Sequence, residues 1–564
     1  MPPSPANSTL GVDAQGDALR QVLMLTDQAE QQLEAGRVDE AVQTARRAKN
    51  LGLNQGRTWH VFARALEAQG DFAAASTAYD RALETKVPVG ALSGGMARVA
   101  LRLGDYAKAE GLLTAHLELA PATAEIVADL ALAQTRLMAF DRAHETLKTA
   151  LEAAPGEPLL WLTLAQLLCV QGRHAQAVVF FEESLRLDPG SALAQAGLAD
   201  ALLLGAGDVE RALAVSEEAL AAASPAILPA MTDAHARRLL AAGRLAEGWA
   251  AFASGVGLGA AALVEVRVAA PRWTPGAPPG GGLLLIGEDS VFDELVLAQA
   301  LPDIIAGGPR LVLAIDPSWE TLARRSFPSV AVAPLLSRDE GGKRLQAAGL
   351  DSPHVHGGEL IGAWAPLRAM MSARRGQPAD FTDTGPYLKT DLRRVRYWQG
   401  RLAALGPGPK VGVLWRSRAD ARTWEAPPLG ALAAALSVPG LHLISLQQEE
   451  VVGELAWVDE TFGLQIYPPP TELSREHLDD LASLAQALDV VVGPPDVATG
   501  LAAACGAETW FLSTPHHWAM LGAETFPWFP RARVIAASGP DDWSGAMTEL
   551  GEALTALVAA SAQT

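Results

Sequence analysis

Residues Trp161–Pro189 read WLTLAQLLCVQGRHAQAVVFFEESLRLDP. Trp161, Leu164, Ala165 and Leu168 fall on a first helix, a turn follows at Gly172, and Ala177 and Phe181 fall on a second helix that Pro189 ends. Working outward, the turn slot recurs every 34 residues as Gly36, Gly70, Gly104, Met138 and Gly172. Ala41, Ala75, Ala109, Ala143 and Ala177 keep the same beat, as do Pro121, Pro155 and Pro189. Small residues let paired helices approach closely, glycine lets the chain turn, and proline stops the second helix. Further on the phase drifts, with Gly207-Asp208 and Gly243-Arg244 standing 35 and 36 residues apart from their predecessors.

This pattern resembles the tetratricopeptide repeat, with about six or seven units from Asp17 to Ala253. Such stacks present a concave surface to peptides or protein partners, or else scaffold and dimerise the rest of a chain. Trp59, Tyr79, Tyr106 and Trp161 are expected in the core by position.

The 564 residues carry 44 Lys+Arg against 64 Asp+Glu, a formal charge of −20, which excludes a general nucleic-acid binder needing a cationic face. Apolar residues reach 49%, enough for a large core. Cys169 and Cys505 are the only two cysteines, so neither a disulfide scaffold nor a cysteine zinc site is expected, and a reducing cytoplasm fits. Met1–Gly16 has neither the basic start nor the apolar run of a secretory signal and is expected to be a disordered tail. The charge-free stretches Gly248–Val264 and Pro427–Gln447 are interrupted by glycines or by Pro439-Gly440, and read as helix end plus linker and as helix, turn and strand, not as membrane spans.

From Pro271 the period changes. After the Gly/Pro-rich join Pro275–Gly282 come short apolar runs at 283–286, 311–315 and 330–332, then 411–415, 441–446, 490–492 and 509–512. Helical patterns such as Leu429–Leu436 and Leu478–Leu488 alternate with them, which predicts parallel, doubly wound sheets in two lobes. The expected organisation is a tail over 1–16, an α-solenoid over 17–253, a linker over 254–282, and Rossmann-like lobes over 283–405 and 406–564. Ligands of such sheets bind at the carboxyl ends of strands. Four loops there stand out: Gly287–Glu294, with Glu288, Asp289 and Asp293; Arg416-Ser417-Arg418; Gln447-Gln448; and Gly493–Gly500, which opens a helix at Leu501–Cys505. Helix-start N–H groups beside Thr499 and Gly500 suit a phosphate, and Arg416 and Arg418 would supply compensating charge. The arginines also suit surface ion pairs, and the last loop a simple capped turn.

These residues, with Pro271-Arg-Trp273, Leu283–Glu288, Pro386-Tyr-Leu388, Val411–Arg416, Ser445-Leu-Gln447 and Phe526–Arg531, resemble bacterial tetratricopeptide glycosyltransferases. The resemblance implies a GT-B catalytic half with the active site in the cleft between two lobes. It is nearest to flagellin glycosyltransferases of polar-flagellate bacteria, which add a nonulosonic sugar such as pseudaminic acid from its CMP form. It implies a donor site in the second lobe, with Arg416, Ser417 and Arg418 at the phosphate, Gln447 and Gln448 near the nucleotide, and Pro495, Asp496, Val497, Ala498, Thr499 and Gly500 closing on phosphate and ribose. His517 would line the donor side. Asp293, or else Glu288, would take the proton of a Ser/Thr hydroxyl as the sugar is transferred; otherwise Asp293 merely caps its helix. Two departures stand out: Ser290-Val291-Phe292 replaces the family's loop glycines, and Gly500 replaces its histidine. No cofactor beyond the nucleotide-sugar co-substrate and no metal is expected, since His354/His356 and His516/His517 lack carboxylate partners at ligand spacing. Gly255-Val-Gly-Leu-Gly259 follows no strand and is set aside as a dinucleotide motif. The expected function is a cytoplasmic protein O-glycosyltransferase whose repeats hold flagellin. Its alternatives are a non-catalytic repeat scaffold, a UDP-hexose transferase, or an enzyme with a saccharide acceptor.

Overall fold

The computed structural model describes residues 9–52, 55–254, 264–274, 278–288, 290–340, 343–352, 355–383, 385–416, 425–448, 451–470, 473 and 476–563. Fourteen α-helices run from Thr9–Glu34 to Leu245–Ser254 in successive hairpins. The first begins at Thr9, inside the expected 1–16 tail. The repeat's small position has a direct cause: Ala41, Ala75, Ala109, Ala143 and Ala177 are all fully buried, leaving no room for a larger side chain between paired helices. The turn slot is left-handed, with Gly104 at φ 78° and Met138 at 58°, the latter in a conformation that glycine adopts more readily. After the glycine, Asp71, Asp105 and Asp208 cap the next helix by accepting the N–H of Ala74, Lys108 and Arg211.

Tyr79 is buried as expected, and its hydroxyl donates to Glu67 at 2.7 Å. Gly95 is required there, because an added Cβ would lie 2.1 Å from the Tyr79 hydroxyl. Trp59, Tyr106 and Trp161 are only half-buried, contrary to a core placement. Tyr106 instead joins Phe72, Arg64, Arg98, Arg102 and Arg136 in lining a groove of about 700 Å³ in the first repeats.

The break in packing along the chain comes at Leu167/Leu168, not at the expected 253/254. The last repeats share one compact unit with the α/β region, and a single hydrophobic core explains why. Leu240, Trp249 and Phe252 of the last repeats cluster with Leu285, Trp319 and Phe327, and with Leu446, Leu501, Phe511 and Phe526. Trp249 is fully buried and donates its indole N–H to the Arg375 carbonyl at 2.7 Å. Trp528 and Phe529 are buried packing residues.

The strands are β1 Val264–Arg267, β2 Gly282–Ile286, β3 Leu311–Ile315, β4 Ala331–Glu340, β5 Lys343–Ala348, β6 Val355–His356 and β7 Glu359–Pro366 in the first sheet. The second sheet has β8 Lys410–Val413, β9 His442–Ser445, β10 Ile466–Tyr467, β11 Val490–Gly493, β12 Thr509–Ser513 and β13 Arg533–Ala536. The expected linker 254–282 therefore contributes β1 to the sheet, and Arg272 bridges to Trp364. The first sheet is ordered β1-β5-β4-β3-β2-β7-β6, with β4, β3, β2 and β7 parallel and β6 antiparallel. The second is ordered β10-β9-β8-β11-β12-β13 and is wholly parallel. Counted within its lobe this is 3-2-1-4-5-6, the Rossmann order, whose direction reverses between β8 and β11. The first sheet reverses likewise between β2 and β7. β2 and β3 are buried along their whole length, as central parallel strands must be.

Candidate functional site

Strand order places the ends of β8, β9 and β11 side by side at the second reversal. The Trp415 and Arg416 N–H groups both donate to Gln447 Oε1 at 3.0 Å, so one fully buried side chain ties the loop after β8 to the loop after β9. After β11, the Asp496 N–H donates to the Thr499 hydroxyl at 3.0 Å, and that hydroxyl donates to the Pro494 carbonyl at 2.6 Å. The turn is thereby fixed at the start of helix Val497–Ala504. Arg416, Gln447, Gln448, Asp496, Val497 and Ala498 then line one small crevice of about 10 Å³, framed by Leu414 and Leu446. Arg416 is held at its rim by Glu454, with Nε–Oε1 at 3.0 Å.

Other residues singled out in the sequence lie elsewhere. Thr499 is turned inward as a capping residue and Pro495 is buried in the turn. Gly500 faces the first lobe, where an added Cβ would stand 3.0 Å from the Phe292 ring. His517 accepts the Ala519 N–H on Nδ1 at 3.3 Å and meets the Phe292 ring edge-on at 6.3 Å. Ser417, Arg418, Asp289, His354 and Gly255–Gly259 lie outside the described residues. Among the described residues no three His, Cys, Asp or Glu side chains form a group able to hold a metal ion.

At the first reversal, β2 leads into Gly287-Glu288 and β7 into Leu367-Arg368. Arg368 donates its N–H to Glu288 Oε1 at 3.0 Å and its Nε to Oε2 at 2.6 Å, and its Nη1 reaches Asp233 at 2.6 Å. Asp233 also accepts from Arg237 Nε at 3.0 Å, and Arg237 Nη2 donates to Asp293 Oδ2 at 2.7 Å. Asp233 and Arg237 belong to helix Leu228–Ala241, so the last repeats supply the middle of a ladder Glu288–Arg368–Asp233–Arg237–Asp293. Phe252 roofs it, 3.7 Å beneath the Arg368 guanidinium, and Trp518 lies 5.0 Å from that of Arg237. Glu288 and Asp293 are both buried. Burial raises the Glu288 pKa against the pull of Arg368. For Asp233 burial is outweighed by Arg237 and Arg368, which hold its carboxyl below the usual range.

The helix that follows is capped by Ser290, whose hydroxyl accepts the Asp293 N–H, so capping is not the role of the Asp293 side chain. Glu294 is buried beneath it. It accepts the Trp319 indole N–H at 2.6 Å and the Glu288 and Asp316 N–H groups, while burial still pushes its pKa well above the carboxylate range. Gly287 has no alternative, since a Cβ would fall 1.9 Å from Glu294 Oε1. Sequence reading missed Asp233, Arg237 and Arg368. The one signal was an Asp and an Arg four residues apart on a repeat helix, which usually marks an exposed ion pair.

Comparison with known proteins agrees with the repeat assignment. Tetratricopeptide repeat families match residues 60–124, 100–167 and 131–200. Protein FlbA of Caulobacter vibrioides is 32% identical over 521 residues, covering 91% of this chain and 86% of FlbA. Among solved structures, a tetratricopeptide repeat protein of Parabacteroides merdae is 17% identical with a TM-score of 0.37, covering 42% of this chain and 92% of its own. YrrB, described as a repeat protein with an unusual peptide-binding site, is 19% identical with a TM-score of 0.25, covering 32% and 91%. No helix among the described residues is long and apolar enough to cross a membrane.

Proposed function

The chain belongs to the family of FlbA, and from that premise we propose that it is a cytoplasmic protein O-glycosyltransferase of GT-B type, in which the repeats hold flagellin and the second lobe holds a nucleotide sugar. One observation carries this reading: Arg416, Gln447, Gln448, Asp496, Val497 and Ala498 meet in one cavity at the Rossmann reversal point. Arg416 and the N–H groups opening helix Val497–Ala504 suit phosphate, and Gln447 and Gln448 offer amides to the ribose or base. The crevice's free space of about 10 Å³ holds about one water, so the donor phosphate would enter only as the lining side chains part. The resemblance to flagellin glycosyltransferases makes that donor a CMP-linked nonulosonate.

In the transfer, a Ser or Thr oxygen forms the new bond to the anomeric carbon, the bond from that carbon to the nucleotide phosphate breaks, and a carboxylate takes the hydroxyl proton. Asp293 suits this role better than Glu288. Arg368 occupies both Glu288 oxygens, whereas among the described residues Arg237 occupies only Oδ2 of Asp293 and leaves Oδ1 without a hydrogen bond. A second reading, a scaffold with a degenerate transferase half, is favoured by the packing of Phe292 against Gly500 and His517, which fills space beside the helix start.

Thermal unfolding with CMP, UDP, GDP, ADP and their sugar conjugates separates the readings. A ligand at 100 times its dissociation constant adds about 2.7 kcal/mol. Stabilisation by CMP compounds alone supports nonulosonate transfer, and stabilisation by UDP alone replaces the donor. A silent panel, with flagellin still bound by the full chain, overturns the enzyme in favour of the scaffold.

A further inference from the structure

We propose that Arg237 is a positioning residue for Asp293, so that the last repeat is a component of the transferase site and not merely a tether for the acceptor. The inference rests on the transferase reading above.

Its basis is the geometry of the ladder. Arg237 is fixed by Asp233 four residues earlier on its own helix and delivers the other side of its guanidinium to Asp293 at 2.7 Å. Asp233 is itself gripped by Arg368, which is anchored on Glu288. Each guanidinium thus bridges two carboxylates, which the planar fork of arginine does and the single ammonium of lysine does poorly. The aromatic faces of Phe252 and Trp518 lie against the two guanidiniums. Three carboxylates alternate with two arginines, so removing Arg237 leaves the buried Asp293 without its cation and the half-buried Asp233 with Arg368 alone.

The consequence for Asp293 is positional: its Oδ2 is pinned, which aims Oδ1. The other titratable groups near it are Glu288 and Glu294 of the first lobe, Asp233 of the repeats, and His517, whose ring meets Phe292. Glu288 and Glu294 carry the sign that Arg237 opposes.

The test uses the full chain with a CMP-linked nonulosonate and flagellin, comparing wild type with Arg237→Lys, Arg237→Met and Asp233→Asn. Arg237→Met is expected to lower kcat roughly tenfold or more, with donor KM and the CMP-induced thermal shift unchanged. Arg237→Lys should recover part of kcat. Asp233→Asn, which leaves Arg237 present but unfixed, keeps the question open to measurement if the Met variant fails to fold, and should lower kcat less. The proposal is overturned if kcat of Arg237→Met or Asp233→Asn matches wild type, or if activity falls only in step with lost CMP binding. A wild-type chain that transfers nothing from any donor of the panel sinks the transferase reading, and this inference with it.

Discussion

The two sheets reverse direction in the same way and treat the reversal point oppositely. In the second lobe Gln447 ties the loops after β8 and β9, Thr499 braces the loop after β11 on itself, and the three leave a small crevice with a third-exposed Arg416 at its rim. In the first lobe the loops after β2 and β7 are closed by Glu288 and Arg368, and the crevice is capped by Asp233 and Arg237 from the repeats. The same topology thus yields one crevice lined by its own loops and one filled by a repeat helix. The difference lies in what packs on the sheet: only the first reversal has a repeat helix with complementary charge laid across it. A Rossmann-like lobe is therefore not by itself a binding site; the residues covering its switch point decide.

The largest effect expected from this contrast is at Arg368. Arg368→Ala strands Glu288 as a buried carboxylate, takes one of two cations from Asp233, and should cost about 3–5 kcal/mol in urea unfolding. The double variant Glu288→Leu/Arg368→Met removes charge from both ends of that link and should recover much of the loss. A cost under about 1 kcal/mol for Arg368→Ala would mean that the ladder does not close the first crevice, and the comparison would fail at its root.

Phe292→Ala comes next. Its ring is buried against Gly500 and His517, and truncation should cost about 3 kcal/mol in the same assay. If Phe292 narrows the approach to the second crevice, the nucleotide-induced thermal shift should grow in this variant even as the unliganded protein weakens. An unchanged shift would separate Phe292 from the cavity and leave it as lobe packing.

How far all this was legible in the sequence follows from the range of the forces involved. Strand 311–315 and helix 429–436 were read to the residue, because a continuous apolar run or an apolar helical run is a local signal. β1, β6 and β10 are short edge strands and β5 lies beside β1, none with such a run, and β7 is interrupted by Gly362. Six donor-side residues converge because loops at the carboxyl ends of adjacent parallel strands must, once the order is Rossmann-like. The ladder was not legible. Arg237 and Asp233 look like an exposed helical pair until tertiary packing lays their helix on the acidic loop, and the boundary expected at 253 hid the possibility. Hydrophobic pattern fixes elements, but which charge meets which buried carboxylate is a property of the assembled fold.

The acid dependence of stability gives a smaller but signed test. Asp233 has a folded pKa below its unfolded value of about 3.9, so its contribution is present above that pH and is lost as pH falls through the folded value. Glu288 is shifted the other way, so its ionisation withdraws stability as pH rises from about 4.3 toward its folded value. Between pH 3 and 6, Asp233→Asn should flatten the low-pH fall in Tm, whereas Glu288→Gln should flatten a decline at the upper end. Slopes of the same sign for the two variants would show that the ladder does not divide its charge as the geometry implies.

The smallest stability effect, and the sharpest functional one, belongs to Arg416. Its pair with Glu454 is about a third exposed on both sides, so Arg416→Ala should change unfolding by less than about 1 kcal/mol. The same substitution removes the one described cation lining the second cavity, and should abolish most of the thermal shift produced by the stabilising nucleotide. Gln447→Ala is the control in the opposite direction: it deprives the Trp415 and Arg416 N–H groups of their shared acceptor and should cost about 1–3 kcal/mol. If Arg416→Ala loses stability and keeps the nucleotide shift, the second crevice is as structural as the first, and the contrast between the two reversal points disappears.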